Sequence, residues 1–575
     1  MARPMRPWTA LASAAAAASV LLAGVGVGAA AATVHKQSST PVYGGTLNLD
    51  TQTPPQKLDP AQVSDVVSGQ FNYLIFNNLV TYAKTTAQIV PSLATSWSHN
   101  AAGTVWTFNL RKGVTFSNGD PFTATDVAFT LTRINEGVTN SPYEFSYAVI
   151  AGSQQCLAQT KTKPWPATEY LSGIKILNPY KIQITTTTPE QFFLNVLALP
   201  SASIEDASVA QNYFAQEKAG KQIDPVGTGP FILQPAAAST TLYVFKKNPT
   251  YWQKGLPYLN QVDVHIGADP TLQYAQFLKG QIDAMPTFLE NFDLAPAQYL
   301  AMLKNPKAKA DYFDVPDIGV NYLGFDVNTA PWNNVKVRQA VEYALNKKLL
   351  DEVLFNGRAP VANSILPPGM PGYQPNLNLY PANYATAAGQ AAAQAKAKAL
   401  LKAAGYPNGV NGGTFFIISG PGDTQQASLV KTDLAAVGIQ VQPRIIGFNT
   451  FLNYGEAKPS KLGFYSLGWT QDYPDPQDFL FNLFDGLEAG QNNFDYSNNP
   501  QVNALLAKAD SGTNQALRLQ EYDQVQKMVM QMAWVVPFAF DFQDGLVGAN
   551  VYPKTPAIWA HPVEPAELQY VWIAK

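Results

Sequence analysis

Residues 118–127 read NGDPFTATDV, and this short stretch carries the clearest local folding signals in the chain. The Asn-Gly pair predicts a tight turn, and Thr123 or Thr125 can cap a helix that begins behind it. Asp126 then falls in the first turn of that helix, where the helix dipole favours an anion. Apolar residues from Thr125 to Ile134 recur at helical spacing. We therefore expect a turn followed directly by an amphipathic helix.

Strand-like segments flank this helix on both sides. Val105–Leu110 and Lys181–Thr187 alternate apolar and polar side chains, as half-buried strands do. Gly44 and Gly45 open another predicted strand, Thr46–Leu49. Because strands and helices intermix along the whole chain, the pattern favours an α/β architecture over a sandwich, a bundle or a solenoid.

Two further helices are predicted in the second half of the chain. An apolar stripe recurs at helical spacing over Val335–Leu350, and Asn333 or Asn334 can cap its start. A second helix, about Ala385–Ala404, is rich in Ala and Lys and is stopped by Gly405.

Composition bounds the class of protein. The chain has 575 residues, of which 46% are hydrophobic and 14% are charged, so it can build sizeable cores in more than one domain. Its 38 basic and 41 acidic residues give a formal net charge of −3. No Lys- or Arg-rich stripe interleaves with the aromatic residues, so we expect no nucleic acid partner. An aromatic content of 12% suits a protein that fills large cores and lines a pocket.

The amino-terminal residues have the pattern of a targeting segment. Arg3 and Arg6 precede a long apolar run, so residues 1–32 are expected to form a signal peptide or, if uncleaved, an anchor. Residues 33–42 have the composition of a linker. We expect an exported protein at the cell surface, extracellular or periplasmic. The single cysteine, Cys156, lies far downstream, which leaves no intrachain disulfide and no lipobox cysteine.

No motif in the sequence points to catalysis or to a bound metal. G-x-S-x-G and Walker A patterns are absent, and the four histidines show no zinc-site spacing. These histidines are His35, His99, His265 and His561. We therefore expect no catalytic residue, no metal and no cofactor, in a protein that is not an enzyme. A cleft carboxylate pair, as in glycosidases, is the alternative that the Asp and Glu content leaves open.

Two stretches stand just before the turn at 118–127. Residues 90–97 read VPSLATSW and residues 106–116 read WTFNLRKGVTF. Further stretches follow at 226–231 (VGTGPF), 247–252 (KNPTYW), 322–328 (YLGFDVN), 335–340 (VKVRQA) and 467–476 (LGWTQDYPDP). In this order, and over nearly all of the chain after residue 43, the sequence resembles the family 5 extracellular solute-binding proteins of ABC importers, which include oligopeptide- and dipeptide-binding proteins.

The resemblance implies a two-lobed periplasmic-binding-protein fold of type II, in the large form with an extra subdomain and a ligand cleft between the lobes. Lobe I would comprise residues 43–315 and 541–575, and the added subdomain residues 87–210. Lobe II would comprise residues 316–540. A ligand that contacts both lobes binds the closed form better and shifts the population toward it.

The resemblance also implies a function. The chain would be the substrate-binding component of an ABC transporter that captures peptides and delivers them to the membrane permease, and we expect it to be a monomer. Asp472 aligns with the aspartate that accepts the ligand's α-amino group in peptide-binding members. Trp469 would form part of the same wall. Ordinary packing by Trp469 and turn capping by Asp472 are the alternatives, although Asp475 is the better capping residue.

Five other residues are candidates for the ligand site by their position in the family pattern. Three belong to the segment after the first strand, and two belong to the place where the chain crosses back toward the cleft. They are Val67, Ser68 and Phe71 in the first group and Asn321 and Tyr322 in the second. Tyr322 could equally pack the hinge.

One part of the peptide-binding pattern is missing. No arginine can be assigned to the ligand's C-terminal carboxylate, and Arg358 and Arg444 are candidates by position alone. This puts dipeptide specificity in doubt. Longer peptides held through their backbone remain open, as do an oligosaccharide, a metal chelate, haem or an opine-like compound on the same scaffold. A secreted hydrolase is the distant alternative.

Overall fold

The described part of the chain begins at residue 40. A computed structural model describes residues 40–574 apart from 64, 236–240, 268, 286–293, 295, 421 and 562–565. The predicted signal peptide or anchor at 1–32 therefore lies outside the described residues, as does most of the predicted linker at 33–42. Over the described ranges, no helix is both long and apolar enough to cross a lipid bilayer.

Strands occur along the whole described chain, as the alternating segments predict. In chain order they are β1 (Thr46–Thr51), β2 (Val80–Ala83), β3 (Thr86–Pro91), β4 (Ala94–His99), β5 (Val105–Leu110), β6 (Ile174–Asn178), β7 (Lys181–Thr185), β8 (Phe231–Leu233), β9 (Leu242–Lys247), β10 (Gln261–Ile266), β11 (Ala284–Met285), β12 (Tyr312–Phe325), β13 (Val410–Ile418), β14 (Ile439–Ile446), β15 (Phe464–Thr470), β16 (Val535–Val547), β17 (Val551–Tyr552) and β18 (Trp572–Ile573).

Helices intervene between these strands. In chain order they are α1 (Val66–Ile75), α2 (Ala124–Ile134), α3 (Glu144–Tyr147), α4 (Ser153–Gln159), α5 (Phe193–Val196), α6 (Ala207–Ala210), α7 (Tyr213–Lys218), α8 (Pro270–Leu278), α9 (Pro296–Leu303), α10 (Pro306–Asp311), α11 (Val335–Ala344), α12 (Lys347–Leu354), α13 (Ala387–Ala403), α14 (Asp423–Val437), α15 (Phe448–Gly455), α16 (Pro476–Phe484), α17 (Pro500–Ser511), α18 (Gln515–Met532) and α19 (Pro556–Trp559).

The strands form separate sheets in the regions expected for the two lobes. In the region of lobe I a sheet has the order β1-β10-β9-β8, and in the added subdomain an antiparallel sheet has the order β4-β5-β7-β6. The lobe II region contains a larger sheet of order β11-β16-β12-β15-β13-β14. Hydrophobic side chains pack on both faces of that larger sheet, so it is a buried central layer.

Strands β12 and β16 are the two longest strands of the larger sheet, and β16 also pairs with β11. The pairing of β12 with β16 shifts register between Pro316 and Val320, where the chain leaves regular pairing. This irregularity lies close to the expected lobe boundary at residues 315 and 316. The boundary itself stays a prediction.

The turn and helix at residues 118–127 form as the sequence predicts. Gly119 has a φ of +96°, a conformation that glycine adopts without strain. Thr123 caps α2, because the Thr125 backbone N–H donates to its hydroxyl at 3.3 Å. The Thr123 backbone N–H in turn donates to the Asp126 carboxylate at 2.8 Å. The two contacts form a reciprocal capping box that fixes where the helix begins.

The helix predicted over Val335–Leu350 is two helices, so that prediction is wrong in its continuity. Asn334 caps α11 as expected, but α11 ends at Ala344. The Asn346 side chain then accepts a hydrogen bond from the Leu349 backbone N–H at 3.1 Å and starts α12. An asparagine that binds the backbone locally competes with a continuous helix. The predicted Ala-rich helix is confirmed as α13.

Candidate functional site

The candidate site lies at one edge of the six-stranded sheet. Strands β13, β14 and β15 are parallel neighbours, so their carboxyl ends meet at the same edge. In open α/β sheets that edge is where ligands bind. The chain leaves β15 at Thr470 and passes through Asp472 before α16 begins, which places Asp472 at this edge.

Asp472 is a carboxylate with little protein around it to balance its charge. The Tyr143 phenol donates to its Oδ1 at 3.4 Å. Burial raises the pKa of Asp472 to about 6, and the hydrogen bond from Tyr143 opposes that rise. Among the ion pairs formed by described residues, none includes Asp472. The site can therefore accept a cationic hydrogen-bond donor.

A second carboxyl group, on Asp478 of α16, holds this region in place. It is fully buried, and its Oδ2 accepts hydrogen bonds from the Asp472 backbone N–H at 3.0 Å and the Trp469 indole N–H at 3.4 Å. Burial, together with the nearby negative charge of Asp472, raises the pKa of Asp478 well above its usual range. Of the two carboxyl groups, Asp478 therefore holds a proton more readily, and the negative charge lies preferentially on Asp472.

Trp469 lies on β15 opposite Val320 of β12, and its side chain is only partly buried. Its ring packs against the core of the lobe II region while its indole N–H points at Asp478. Trp469 and Asp472 thus share Asp478 as a hydrogen-bond partner, and a ligand contact of Trp469 stays a prediction.

The added subdomain reaches this edge through two aromatic side chains. Tyr143 donates to Asp472, and Phe192 stacks on Tyr473 with ring centroids 5.6 Å apart and planes 8° apart. Burial, followed by the negative charge of Asp472, raises the pKa of Tyr143, so its phenol stays a donor. Residues from both sides of the expected cleft therefore meet around Asp472.

Asp475 has a different role from Asp472. It caps α16, where the Gln477 backbone N–H donates to its Oδ1 at 3.0 Å. The Arg518 guanidinium donates to both of its carboxylate oxygens, at 3.1 and 3.0 Å. The expected capping by Asp475 is confirmed, and its charge is already neutralised inside the protein.

Asn321 contacts an acidic group, Asp541, that the sequence analysis did not predict. Its side-chain N–H donates to Asp541 Oδ1 at 2.5 Å, and the Thr470 hydroxyl donates to Oδ2 at 3.2 Å. Burial, and next the negative charge of Asp317, raises the pKa of Asp541 to about 7. An aspartate inside the apolar run VVPFAFDF (residues 535–542) was the available signal, because a charge seldom sits in such a run without a partner or a role.

Tyr322 packs inside the lobe II region. It is 2% exposed and its strand neighbours are Leu467 and Pro537. This placement matches the packing alternative for Tyr322, and it leaves no surface for a ligand.

The three candidates on α1 face the core of the lobe I region. Val67, Ser68 and Phe71 are all buried. Phe71 meets Tyr243 and Phe245 edge to face, and the Ser68 hydroxyl accepts from a backbone N–H. Our expectation that these side chains face a ligand does not match this placement, because α1 turns this face into the core.

The two candidate arginines differ in their surroundings. Arg358 forms a buried ion pair with Asp544 and lies over the Tyr299 and Phe542 rings, so its charge is already used. Arg444 is exposed on β14 near the carboxyl edge of the sheet. In the part of the chain that the structure describes, Arg444 takes part in no ion pair.

No group of three or more His, Cys, Asp or Glu among the described residues could hold a metal ion.

Comparison with known proteins identifies the family. The model for bacterial extracellular solute-binding proteins, family 5, matches residues 88–491. The chain belongs to this family. As one of its solute-binding proteins, it is a binding protein and not an enzyme. The resemblance inferred from the motifs and the two-lobed α/β fold are both confirmed.

Individual relatives agree with this family assignment over most of their length. Heme-binding protein A of Haemophilus influenzae is 32% identical over 81% of each chain. The dipeptide-binding protein of Escherichia coli is 28% identical over 80% of this chain and 82% of its own. The solved structure of the ABC transporter-associated periplasmic binding protein DppA of Helicobacter pylori, in complex with the peptide STSA, has a TM-score of 0.72 at 25% identity and covers 93% of this chain and 99% of its own.

Proposed function

We propose that this family 5 solute-binding protein captures peptides outside the cytoplasm and delivers them to the membrane permease of an ABC importer. The observation that carries the proposal is Asp472, a half-buried carboxylate at the sheet edge that meets a phenol and forms no ion pair with any described residue. A peptide's free α-amino group supplies the missing positive charge. The names of the E. coli and H. pylori relatives, which refer to peptides, support the same ligand class.

The contacts suggest how the ammonium is recognised. A charge-assisted hydrogen bond to a buried carboxylate contributes about 1.5–3 kcal/mol, enough to separate a free amino terminus from a blocked one. Asp478 holds the Asp472 backbone, and Trp469 offers an aromatic face beside the ligand. Because Tyr143 comes from the other side of the cleft, a ligand at Asp472 would favour the closed arrangement of the lobes.

The other end of the peptide has no dedicated cation in our proposal. Arg358 is already neutralised by Asp544, and Arg444 is the exposed arginine at the same sheet edge. We therefore favour peptides longer than a dipeptide, held mainly through backbone hydrogen bonds. Of the other predicted site residues, Asn321 stays in the proposal through its contact with Asp541, which lies on the neighbouring strand.

Haem is the second candidate, because the H. influenzae relative carries a heme-binding name. Haem presents two propionates and no ammonium, so it would bring negative charge toward Asp472. That mismatch makes peptide the better fit to this site. We also propose that the segment at residues 1–32 directs export, without a lipobox cysteine. We propose further that the protein is a monomer.

Native mass spectrometry of the protein purified without added ligand tests the ligand class. We expect retained peptides of several lengths, which leave on partial denaturation. A retained haem, recognised by its mass and its visible absorption, would replace the peptide proposal with the second candidate. A retained sugar would contradict both.

A further inference from the structure

A cavity of about 420 Å³ lies between the added subdomain and the lobe II region. The subdomain contributes one aromatic ring and the other side contributes acidic and amide side chains. Its lining residues are Phe145, Glu456, Glu488, Gly490, Gln491 and Asn492. The volume is sufficient for a long side chain.

The charge of this cavity is negative. Glu456 is exposed and Glu488 is half-buried, and neither forms an ion pair with a described residue. Asn492 donates to Glu488 Oε2 at 3.4 Å, which is a weak contact. Lys458 is not one of the lining residues, but its Cε lies beside Gly490 and brings one ammonium group close to the cavity, so two carboxylates face one positive charge and the balance stays negative. A positive group entering the cavity would meet two carboxylates.

Phe145 connects this cavity to the Asp472 site. Its side chain is 56% exposed although it is large and apolar. Its ring lies 6.3 Å from the ring of Tyr143, whose hydroxyl donates to Asp472. An extended peptide advances about 3.3–3.6 Å per residue, so a side chain within the first few residues of a ligand held at Asp472 can reach the cavity.

An aromatic ring beside carboxylates recognises organic cations. Lys and Arg side chains stack on aromatic faces through cation–π attraction, and their ends form charge-assisted hydrogen bonds with carboxylates. We infer that this cavity is the subsite for a cationic side chain, of lysine or arginine type, on the ligand whose amino terminus is held at Asp472. The inference rests on the proposed function and adds a preference among peptides to it.

The test compares peptides that differ in one charge. Calorimetry would measure the binding of Ala-Lys-Ala and Ala-Ala-Lys, and of the same peptides with norleucine in place of lysine. We expect at least one lysine peptide to bind about tenfold more tightly than its norleucine counterpart. The double variant Glu456→Gln, Glu488→Gln should lose that preference while it keeps its affinity for the norleucine peptide.

Matched variants separate this effect from general charge. Glu352→Gln changes an exposed glutamate on α12 whose partner is Lys348, so it should keep the lysine preference. Phe145→Leu keeps an exposed apolar side chain but removes the ring, and it should reduce the preference two- to threefold, as expected for about 0.5 kcal/mol. If the double variant does not fold, this single variant decides.

Each outcome has a distinct meaning. Equal binding of lysine and norleucine peptides by the unaltered protein would overturn the cavity assignment and leave the peptide function standing. A preference that survives in the double variant would do the same. Failure to bind any peptide would overturn both.

Discussion

Asp472 and Asp475 lie three residues apart between β15 and α16, yet they have opposite surroundings. Asp475 is paired with Arg518, caps a helix and is 5% exposed. Asp472 meets a phenol and no described cation. The first carboxylate has its charge balanced by the fold, and in our proposal the second has its charge left for a ligand. A poorly solvated charge without a partner costs stability, which is expected where a residue serves binding and not the fold.

Tyr143 and Asp478 extend this contrast. They surround Asp472 with groups that hold it in place and bring no positive charge, since one is a neutral phenol and the other is a carboxyl group whose pKa is raised by burial. A lysine or arginine in either position would stabilise the free protein and compete with the ligand's ammonium. The ligand-binding role that we propose for Asp472 therefore requires that no cation pairs with it, as is the case among the described residues.

The largest effect is expected in the free energy of unfolding when the buried Asp475–Arg518 ion pair is broken. Arg518→Met should lower the free energy of unfolding by about 3 kcal/mol, because it leaves the buried Asp475 without its cation. Urea unfolding followed by circular dichroism measures this loss.

The control is an ion pair that is exposed to solvent on both sides. Lys348→Met removes the partner of Glu352, and because the two side chains are 64% and 52% exposed the loss should stay below about 1 kcal/mol. Equal losses for the two variants would mean that the buried Asp475–Arg518 pair contributes no more to the free energy of unfolding than an exposed pair does, and this would contradict the structural role of Asp475.

An intermediate effect is expected in the pH dependence of binding. Asp472 has a pKa of about 6, so protons compete with the ligand's ammonium below that pH. Affinity for a free-amine peptide should fall about tenfold per pH unit well below pH 6. Titration calorimetry between pH 4.5 and 7.5, at roughly half-unit steps, measures the profile. The Asp472→Asn variant serves as the control, and an unchanged profile in it would assign the titration to another group.

The smallest effect is expected in the stability of the ligand-free protein. The pKa of Asp472 is raised from the ordinary value of about 3.9, so the native state binds more protons than the unfolded chain between about pH 4 and pH 6. Stability contributed by this group therefore falls as the pH rises through that window. Asp472→Asn removes the charge and should raise the unfolding free energy at pH 7 by about 1 kcal/mol. Asp475→Asn should lower it, and the same sign for both would break the comparison.

Local signals in the sequence predicted the local structure well. The capping box of Thr123 and Asp126 and the cap at Asp475 follow from residues within a few positions of each other, so a sequence pattern contains all the needed information. The break at Asn346 was missed because an asparagine side chain that binds the backbone overrides an apolar stripe that continues past it.

The partners of the site could not be predicted in the same way. Tyr143 lies 329 residues from Asp472 along the chain, and only the packing of the added subdomain brings the two together. Position in the family pattern suggested Val67 and Phe71, but burial depends on which face α1 presents to the core. The resemblance singled out Asp472 as a candidate, and the fold was needed to show that no described cation pairs with it.

The most direct test measures one peptide with and without its amino charge. Calorimetry would compare Ala-Ala-Ala-Ala and its N-acetylated form on the unaltered protein and on Asp472→Asn. We predict that acetylation weakens binding at least about tenfold in the unaltered protein and has little effect in the variant, since the contact with Asp472 is already lost. Equal affinity of the unaltered protein for both peptides would contradict the central claim that Asp472 binds the ligand's α-amino group.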